Sequence, residues 1–377
     1  MRSKSAAKVT VLGGGVVGLT VGADSGVQVV GGLRPDTFHR ASSVLQARGY
    51  KVTVVSRAFP DNPEDDPSFT SPAAGAHWRS FAEKDDYRLQ EWDETTFQAM
   101  IRLCDVPGTG LMMAPAFEFW ADPMESWEDP FFARFTPKYK ILDTASLPPT
   151  CKFGISYETI CINVPKYLLW LLEKFKSLGG SLRQQSVAHI DELLSEDVDV
   201  VINCAGLGAR TLGGVEDVQT YATRGQTVLV RAPHVRHTVT RLGQVHEDFT
   251  YIIPRDDGIV VLGGTYQANN YTLEPDMPTA EAIIQRCLSI CPELQVDGKL
   301  DIIKHKAGLR PTRVGGVRCE AEWKESTDKR KVLLVHCYGH GGYGFQSSIG
   351  CAATVAMITD GERARRGTHG DELAAKL

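Results

Sequence analysis

Apolar positions follow two different periods along this chain, and each period predicts its own kind of element. Short β-branched runs bounded by turn residues are typical of strands, whereas apolar residues spaced three and four apart are typical of a helix. The segment 167–179 has the helical spacing and ends at Gly179, a residue that often terminates helices. By contrast, the Trp- and Phe-rich stretch 112–135 shows few regular signals, and we expect it to be irregular. The predicted strands are Lys8–Leu12, 51–55, 198–203, 226–231, 250–254 and 259–264, the last three in a more antiparallel region.

A glycine-rich turn, Gly13-Gly-Gly15-Val-Val-Gly18, follows the first strand directly. In a dinucleotide site the first glycine of such a motif permits the tight turn, the second lets the backbone approach a pyrophosphate, and the third lets the helix pack on the strand. We therefore predict a Rossmann-like α/β domain. The second strand ends in Ser56-Arg57, where an NAD-binding domain usually has an acidic residue, and this disfavours a plain NAD-linked dehydrogenase.

The segment 21–40 interrupts the helix that should follow the glycines. It contains four glycines and a proline between Val21 and Asp36, which is incompatible with a continuous helix. If it is left out, the helix continues through 41–48 and the second strand ends about 20 residues after the glycines, as the fingerprint requires. Either this is a genuine surface insertion or it is a translated short intron with GT and AG ends, which sequencing the spliced transcript decides. In both cases we expect it outside the core.

Composition places the chain among ordinary globular proteins. It has 377 residues, 42% of them apolar and 23% charged, and a formal net charge of -5. The length suggests roughly two domains, and the charge balance offers no basic face for nucleic acid. No apolar run reaches 18 residues, and Met1–Lys8 passes into a strand without a signal-peptide core, so we expect a soluble, intracellular protein without a membrane anchor.

Nine cysteines are scattered along the chain without the paired CxxC spacing of zinc or redox motifs. We expect free thiols, mostly in the core, and no metal site.

The segment 334–352, Leu-Val-His-Cys-Tyr-Gly-His-Gly-Gly-Tyr-Gly-Phe-Gln-Ser-Ser-Ile-Gly-Cys-Ala, resembles the C-terminal signature of the D-amino acid oxidase and D-aspartate oxidase family of FAD enzymes, closest to its yeast and fungal members. The resemblance covers nearly the whole chain apart from 21–40; a glycine or sarcosine oxidase is the alternative within two-domain FAD enzymes. Supporting motifs are the N-terminal glycines, Ser71-Pro-Ala-Ala-Gly75, Ile202-Asn-Cys-Ala-Gly-Leu-Gly208, Arg224-Gly-Gln-Thr227, Tyr251-Ile-Ile-Pro254, Gly263-Gly-Thr-Tyr266 and Gly308-Leu-Arg-Pro311.

This resemblance implies a Rossmann-like FAD-binding domain with a parallel sheet, interleaved with an α+β substrate domain on a mixed or antiparallel sheet. The FAD-binding domain would comprise 1–78, 151–230 and 300–362, including the atypical insertion near 21–40. The substrate domain would comprise 79–150 and 231–299, and 363–377 would form a C-terminal tail.

The same resemblance implies the roles of the site residues. Arg310 would bind the substrate α-carboxylate with its planar fork of donors, helped by Tyr251 and by the lid-side Tyr266, and Gly342 would lie beside the substrate. His336 and His340 would be structural. The residues implied at the FAD are Gly13, Gly14, Gly15, Val16, Val17, Gly18, Arg57, Ser71, Gly75, Ala76, Val187, Gly206, Arg310, Gly341, Gly342, Tyr343, Gly344, Phe345 and Gln346.

The implied chemistry is hydride transfer from the Cα of a D-amino acid to the flavin. The resulting imino acid is hydrolysed to a 2-oxo acid and ammonia, and O2 is reduced to hydrogen peroxide. The cofactor performs the difficult step and the protein orients the substrate, so no catalytic acid or base is expected. Two rival classes are an NAD-linked dehydrogenase and a non-catalytic FAD or nucleotide sensor.

Two residues are candidates for the substrate side-chain pocket. His77 and Arg241 stand where neutral-substrate homologues have Asn and an apolar residue, and a second cation suits a β-carboxylate; D-aspartate and D-glutamate are therefore the expected substrates. We predict that Arg241→Met lowers kcat/KM for D-aspartate far more than for D-alanine. Neutral D-amino acids such as D-alanine remain the alternative, because Tyr266 and the Gly341–Gly344 loop resemble the neutral-substrate type.

The final tripeptide, Ala375-Lys376-Leu377, is similar to the Ser-Lys-Leu peroxisomal address. We expect recognition by the peroxisomal import receptor and a peroxisomal location, which suits an enzyme that releases peroxide. The sequence leaves a homo-oligomer open.

Overall fold

A computed structural model describes residues 6–22, 45–122, 130–195, 197–243 and 249–374 of the chain. The chain forms two compact units, and neither is a continuous stretch. Unit 1 comprises Met1–Asp66, Leu169–Tyr221 and Pro311–Leu377, and unit 2 comprises Pro67–Leu168 and Ala222–Arg310.

In chain order the strands are β1 (Lys8–Leu12), β2 (Lys51–Ser56), β3 (Leu111–Trp120), β4 (Lys140–Ile141), β5 (Phe153–Ile162), β6 (Ser181–Gln184), β7 (Val200–Asn203), β8 (Thr220–Arg231), β9 (Thr238–Leu242), β10 (Thr250–Pro254), β11 (Ile259–Gly263), β12 (Gln267–Ala268), β13 (Asp301–Arg313), β14 (Arg318–Glu325) and β15 (Lys331–Tyr338). The α-helices are α1 (Val16–Gly22), α2 (Tyr87–Leu103), α3 (Val164–Ser177), α4 (Asp191–Leu194), α5 (Met277–Ile290) and α6 (Gly344–Ala374). Short 3-10 turns lie at Leu45–Arg48, Pro63–Asp65, Ser71–Ala73, Phe131–Arg134, Thr144–Ser146, Gly206–Arg210 and Pro292–Leu294.

Unit 1 is built on a sheet with the order β14-β15-β7-β1-β2-β6. The ladders β15–β7, β7–β1, β1–β2 and β2–β6 are parallel, and only β14–β15 is antiparallel. Its central strands β1, β7 and β15 are mostly apolar and almost wholly buried, because both faces of a parallel sheet are covered. Helix α1 packs against α6.

Unit 2 is built on a nine-stranded sheet with the order β12-β8-β11-β10-β9-β3-β5-β4, in which β13 also pairs with β8. The β3–β9 ladder is parallel, whereas the ladders β3–β5, β4–β5, β8–β11, β8–β12, β9–β10 and β10–β11 are antiparallel. One face of this sheet carries Val239 and Ile252, which share an apolar cluster with Ile283, Ile284 and Cys287 of α5. The opposite face carries Tyr251 and Ile253. The expected fold class, with a parallel sheet and a mixed sheet, is therefore confirmed.

The structure adjusts three local predictions. The stretch 112–135 contains β3, a strand with partners on both sides, rather than only irregular chain. Val21 and Gly22 belong to α1 and are buried, so an insertion outside the core cannot begin before residue 23; residues 23–40 lie outside the described residues. The helix expected through 41–48 is a single 3-10 turn at Leu45–Arg48 within the described part.

The domain bounds also differ from those implied by the sequence. Unit 2 also includes residues 67–78, 151–168, 222–230 and 300–310. These residues form the 71–76 loop, β5 and most of β8 and β13, and the three strands belong to the sheet of unit 2. The expected tail from residue 363 instead continues α6 to Ala374.

All nine cysteines are free thiols, as expected. Among the described residues, no helix combines the length and the apolarity needed to cross a membrane.

Candidate functional site

The glycine turn of unit 1 is a tight junction between β1 and α1. Gly13 has a φ of +123° and its N–H donates to the Val55 carbonyl at 2.8 Å. A Cβ on Gly13 would meet the Cys204 carbonyl, and one on Gly18 would meet the Gly13 carbonyl, each closer than the 3.0 Å that real Cβ atoms keep. A Cβ on Gly14 would stand 2.8 Å from the Ala58 carbonyl. Only glycine fits these places, which is what a dinucleotide-binding turn requires.

The signature loop lies in the same unit and converges on this turn. The Gly341 N–H donates to the Pro311 carbonyl at 2.9 Å, and the Tyr343 N–H donates to the His340 carbonyl at 2.8 Å. Helix α6 then begins at Gly344, where an added Cβ would lie 3.7 Å from Val16 Cγ1 and 3.8 Å from Val17 Cγ2. The structure thus brings the two predicted cofactor segments together.

The remaining residues predicted at the cofactor are spread over both units. Phe345 and Gln346 are buried in the first turn of α6, whereas Gly342 is exposed. Arg57 is an exposed side chain that pairs with Asp66 at 2.9 Å. The others are Gly15 before α1, half-buried Val187 in an apolar cluster of unit 1, Gly206 with a φ of +57° in unit 1, and Ser71, Gly75 and Ala76 in unit 2. Their contact with a cofactor stays a prediction.

In unit 2 the structure assembles the three side chains predicted to hold a carboxylate. Arg310 Nη1 donates to the Thr265 carbonyl at 2.9 Å, and a second interaction joins the guanidinium to the Tyr251 hydroxyl. The Arg310 Cζ lies 5.8 Å from the centroid of the Tyr266 ring. Gly225 leaves room for the guanidinium, since a Cβ there would be 2.5 Å from both Nη atoms.

The electrostatics of this cluster favour an anionic ligand. No carboxylate pairs with Arg310 among the described residues. Burial raises the pKa of Tyr251, against the opposing effect of Arg310, so the phenol stays protonated and can donate. A guanidinium with such a neighbour suits a carboxylate group.

Sequence reasoning missed two cations that hold the 71–76 loop over the Tyr251 face of the sheet. Arg255 Nη2 donates to the Gly75 carbonyl at 3.0 Å, and Lys306 Nζ donates to the Pro72 carbonyl at 3.1 Å. An added Cβ on Gly75 would lie 2.7 Å from Ile253 Cδ1. The position of Arg255 directly after the Tyr251–Pro254 motif was the available signal.

His77 lies at the end of this loop and is a neutral group. Its backbone bridges to Cys161, which belongs to the same apolar cluster as Tyr251. Burial lowers the pKa of His77 to about 4, although the nearby Glu118 carboxylate acts in the opposite direction. At neutral pH His77 therefore offers a hydrogen bond and no positive charge.

A buried ion pair next to His77 was also missed by sequence reasoning. Arg79 and Glu118 are each 1% exposed and approach to 3.1 Å, and the Tyr157 hydroxyl donates to Glu118 at 2.5 Å. The Arg79 guanidinium lies 4.0 Å above the Phe81 ring. The pair is local to unit 2 and borders the Tyr251 face.

The structure does not bring Arg241 to the other predicted site residues. Arg241 pairs with Thr250 in the β9–β10 ladder, whereas Tyr251 pairs with Thr240. Directly paired residues share a face and successive residues alternate, so Arg241 projects from the face opposite Tyr251. Its Nε is buried and has no hydrogen-bond partner among the described residues.

Taken together, these features are typical of a flavoprotein: one unit has a glycine turn that fits a dinucleotide, and the other has an arginine–tyrosine cluster that suits a carboxylate. The sequence model of the FAD dependent oxidoreductase family, DAO, matches residues 8–358. The chain belongs to this family, and its cofactor is FAD. The crowding at Gly13, Gly14 and Gly18 fits that cofactor, because a side chain at any of them would obstruct the turn.

Curated relatives cover most of the chain. It is 33% identical over 363 residues to a D-amino-acid oxidase of Schizosaccharomyces pombe, covering 93% of this chain and 95% of the relative. It is 30% identical over 407 residues to a D-aspartate oxidase of Cryptococcus neoformans var. grubii, covering 94% and 97%. A glycine oxidase from Bacillus cereus has a similar fold, with a TM-score of 0.68, 17% identity and coverage of 94% and 95%.

Proposed function

We propose that this protein catalyses the oxidative deamination of D-amino acids. The observation that carries the proposal is the Arg310–Tyr251–Tyr266 cluster, a carboxylate receptor without a carboxylate partner among the described residues. The amino acid loses two electrons and two protons to become an imino acid, and water hydrolyses it to the 2-oxo acid and ammonia. Bound FAD supplies the two-electron acceptor, and O2 takes up the electrons and protons as hydrogen peroxide.

The residues of the chain bind and orient the substrate. Arg310 holds the α-carboxylate through charge-assisted hydrogen bonds, and the Tyr251 hydroxyl, which accepts from Arg310, can donate its own proton to the same group. Arg255 and Lys306 fix the 71–76 loop by its carbonyl oxygens. Such fixed orientation is the main contribution a protein makes when its cofactor performs the chemistry.

Within this activity we propose D-aspartate, with D-glutamate, as the preferred substrate. Relatives named D-aspartate oxidase support this choice, and so does His77, which offers a hydrogen bond on the Tyr251 face. A hydrogen bond to a charged group contributes about 1.5–3 kcal/mol, or roughly 10- to 150-fold in specificity.

The second candidate is an oxidase of neutral D-amino acids such as D-alanine. The placement of Arg241 favours it, because that cation lies on the far face of the sheet and does not reach a substrate held by Tyr251. The two candidates predict different roles for His77. It donates a hydrogen bond to the second carboxylate of D-aspartate in the first, and it does not distinguish acidic from neutral substrates in the second.

The decisive experiment is a peroxide-coupled assay of the FAD-loaded enzyme over a panel of D-amino acids, with Arg310→Met as the inactive control. For D-aspartate preference, His77→Leu should lower kcat/KM for D-aspartate by about tenfold or more relative to D-alanine. Arg241→Met is the matched cation control and should change both substrates alike. An equal effect of His77→Leu on both substrates contradicts the D-aspartate assignment, and absence of peroxide with every D-amino acid contradicts the activity.

We also propose import into peroxisomes, supported by the Ala-Lys-Leu tripeptide at 375–377, which lies outside the described residues. A fluorescent protein fused ahead of residue 1 should colocalise with a peroxisomal marker. Removing the tripeptide should make it diffuse, and a punctate signal that survives the removal contradicts the proposal.

A further inference from the structure

Unit 1 contains a compact group of soft ligands that the oxidase chemistry does not use. The thiols of Cys337 and Cys351 and a ring nitrogen of His340 all lie within 4.8 Å of one another. All three residues are buried, with exposed fractions of 0%, 0% and 4%. They come from β15, from the loop after it and from α6, so the fold rather than the local sequence assembles them.

Two further thiols adjoin the group. Cys319 is the direct partner of Cys337 in the β14–β15 ladder. Cys204 directly follows Asn203, the partner of His336 in the parallel β7–β15 ladder, so it is next in register to Cys337. Two half-buried cysteines therefore lie next to the buried group of Cys337, His340 and Cys351 in unit 1.

We propose that Cys337, His340 and Cys351 bind one Zn²⁺ ion, with Cys204 or Cys319 as the fourth ligand. Thiolates and imidazole are the preferred ligands of zinc, and structural zinc sites are tetrahedral. Zn–S bonds of about 2.3 Å place the sulfur atoms of a tetrahedral site about 3.8 Å apart. The ligand atoms now lie within 4.8 Å of one another, so each pair would need to move closer by about 1 Å at most.

The charge balance suits a buried location. Two thiols release their protons to solvent as they bind, and two thiolates with a neutral imidazole cancel the charge of Zn²⁺. A third thiolate, supplied by Cys204 or Cys319, adds one negative charge, and both of these cysteines are only half-buried, so water can solvate that charge.

The site would connect the two segments of unit 1 that fit FAD. Cys204 lies against the glycine turn. Its backbone carbonyl excludes a side chain at Gly13, and its Cβ would be 3.5 Å from a Cβ added to Gly18. His340 immediately precedes the Gly341–Gly344 loop. Bound zinc should therefore raise the thermal midpoint of the holoenzyme, because a ligand that binds only the folded state stabilises it.

The test measures zinc in the FAD-loaded enzyme after a chelator has removed adventitious metal. One equivalent of Zn²⁺ is added, the protein is passed over a desalting column, and the retained metal is measured by mass spectrometry. We expect about one zinc per chain in the wild type and a loss to background in Cys337→Ala and Cys351→Ala. Cys291→Ala is the matched control, since it removes a buried thiol from the separate His237, Cys291 and Glu293 group and should leave the zinc content unchanged.

X-ray absorption of the zinc-loaded wild type keeps the proposal testable if a variant fails to fold. Three sulfur ligands near 2.3 Å and one nitrogen ligand are expected. The proposal is overturned if the stripped wild type, after zinc has been added back and the column run, retains no zinc. It is also overturned if the bound zinc has only nitrogen and oxygen ligands, or if Cys291→Ala is the only variant that loses zinc.

Discussion

Gly225 lies against the guanidinium of Arg310. Replacing Gly225 with alanine should displace that guanidinium and so disable the carboxylate receptor, although no receptor residue is itself substituted. A Cβ at this position would stand 2.5 Å from Nη1 and Nη2 and 2.6 Å from Cζ, whereas ordinary contact begins at 3.4 Å. The atoms it meets are the far end of a flexible side chain. Arg310 should therefore move by about 1 Å rather than force the strand apart.

The expected effect is large on catalysis and small on stability. A displacement of about 1 Å in a positioning group lowers rates by about 100-fold, which corresponds to about 2.7 kcal/mol of transition-state binding. That loss lies within the roughly 1.5–3 kcal/mol attributed to a hydrogen bond with a charged group. Replacing glycine by alanine where the backbone permits it also restricts the unfolded chain, which offsets part of any strain.

The assay compares kcat/KM for D-alanine and D-aspartate in wild type, Gly225→Ala and the control Gly361→Ala. Gly361 lies in α6 and a Cβ there would meet nothing within 4 Å. Both substrates should lose about 100-fold with Gly225→Ala and almost nothing with Gly361→Ala, with thermal midpoints within a few degrees of each other. A folded, FAD-loaded Gly225→Ala enzyme with wild-type kcat/KM would refute the assignment of Arg310 to the α-carboxylate.

Three further predictions concern FAD retention, pH and the buried ion pair. Gly18→Ala places a Cβ against the Gly13 carbonyl, so this variant should release FAD at dilutions where wild type retains it, and the fluorescence of free FAD measures the release. Full retention of FAD contradicts the role of the turn. Because the pKa of His77 is about 4 when folded and near 6.5 when unfolded, the unfolded state binds the extra proton, and the free energy of unfolding should fall as the pH drops from about 6.5 towards 4. Urea unfolding at pH 7 and pH 5 should show a smaller fall for His77→Asn, and an equal fall counts against this account. Glu118→Gln leaves the Arg79 charge buried without its partner, so urea unfolding should show a loss of about 3–5 kcal/mol, and a loss below 1 kcal/mol would contradict it.

Strands with a uniform apolar pattern were predictable from the sequence, and β3 was not. Lys8–Leu12 is buried at every position after its first residue and apolar at all of these except Thr10, and its burial on both faces of a parallel sheet explains that pattern. β3 contains Pro115 and the carboxylate of Glu118, two residues that argue against a strand. Pro115 is tolerated because β3 pairs with β9 only from Ala116 onward, and Glu118 is tolerated because Arg79, distant in sequence, neutralises it.

The site residues were likewise predictable where they belong to a sequence motif and not predictable where their placement depends on strand register. Arg310, Tyr251 and Tyr266 belong to motifs that could be recognised in the sequence, and the structure places their side chains near one another; their role at a carboxylate stays a prediction. Arg241 was assigned by counting ten residues back from Tyr251, and only the register of β9 against β10 shows which face it occupies. A shift of one residue reverses the face, so no sequence count could have decided it.

The interleaving of the two units has a consequence for how the chain acquires its structure during synthesis. The sheet of unit 1 joins β1 to β7 and β7 to β15, so its parallel core needs strands from the first and the last parts of the chain. A ribosome that has produced only the first 300 residues has made β1, β2, β6 and β7, and these still lack β15 and the covering helix α6. Such non-local parallel pairing is slow to form and leaves apolar strands exposed meanwhile. The nascent polypeptide therefore depends on its C-terminal residues to complete the unit that fits FAD, and late truncations should aggregate rather than yield a smaller folded protein.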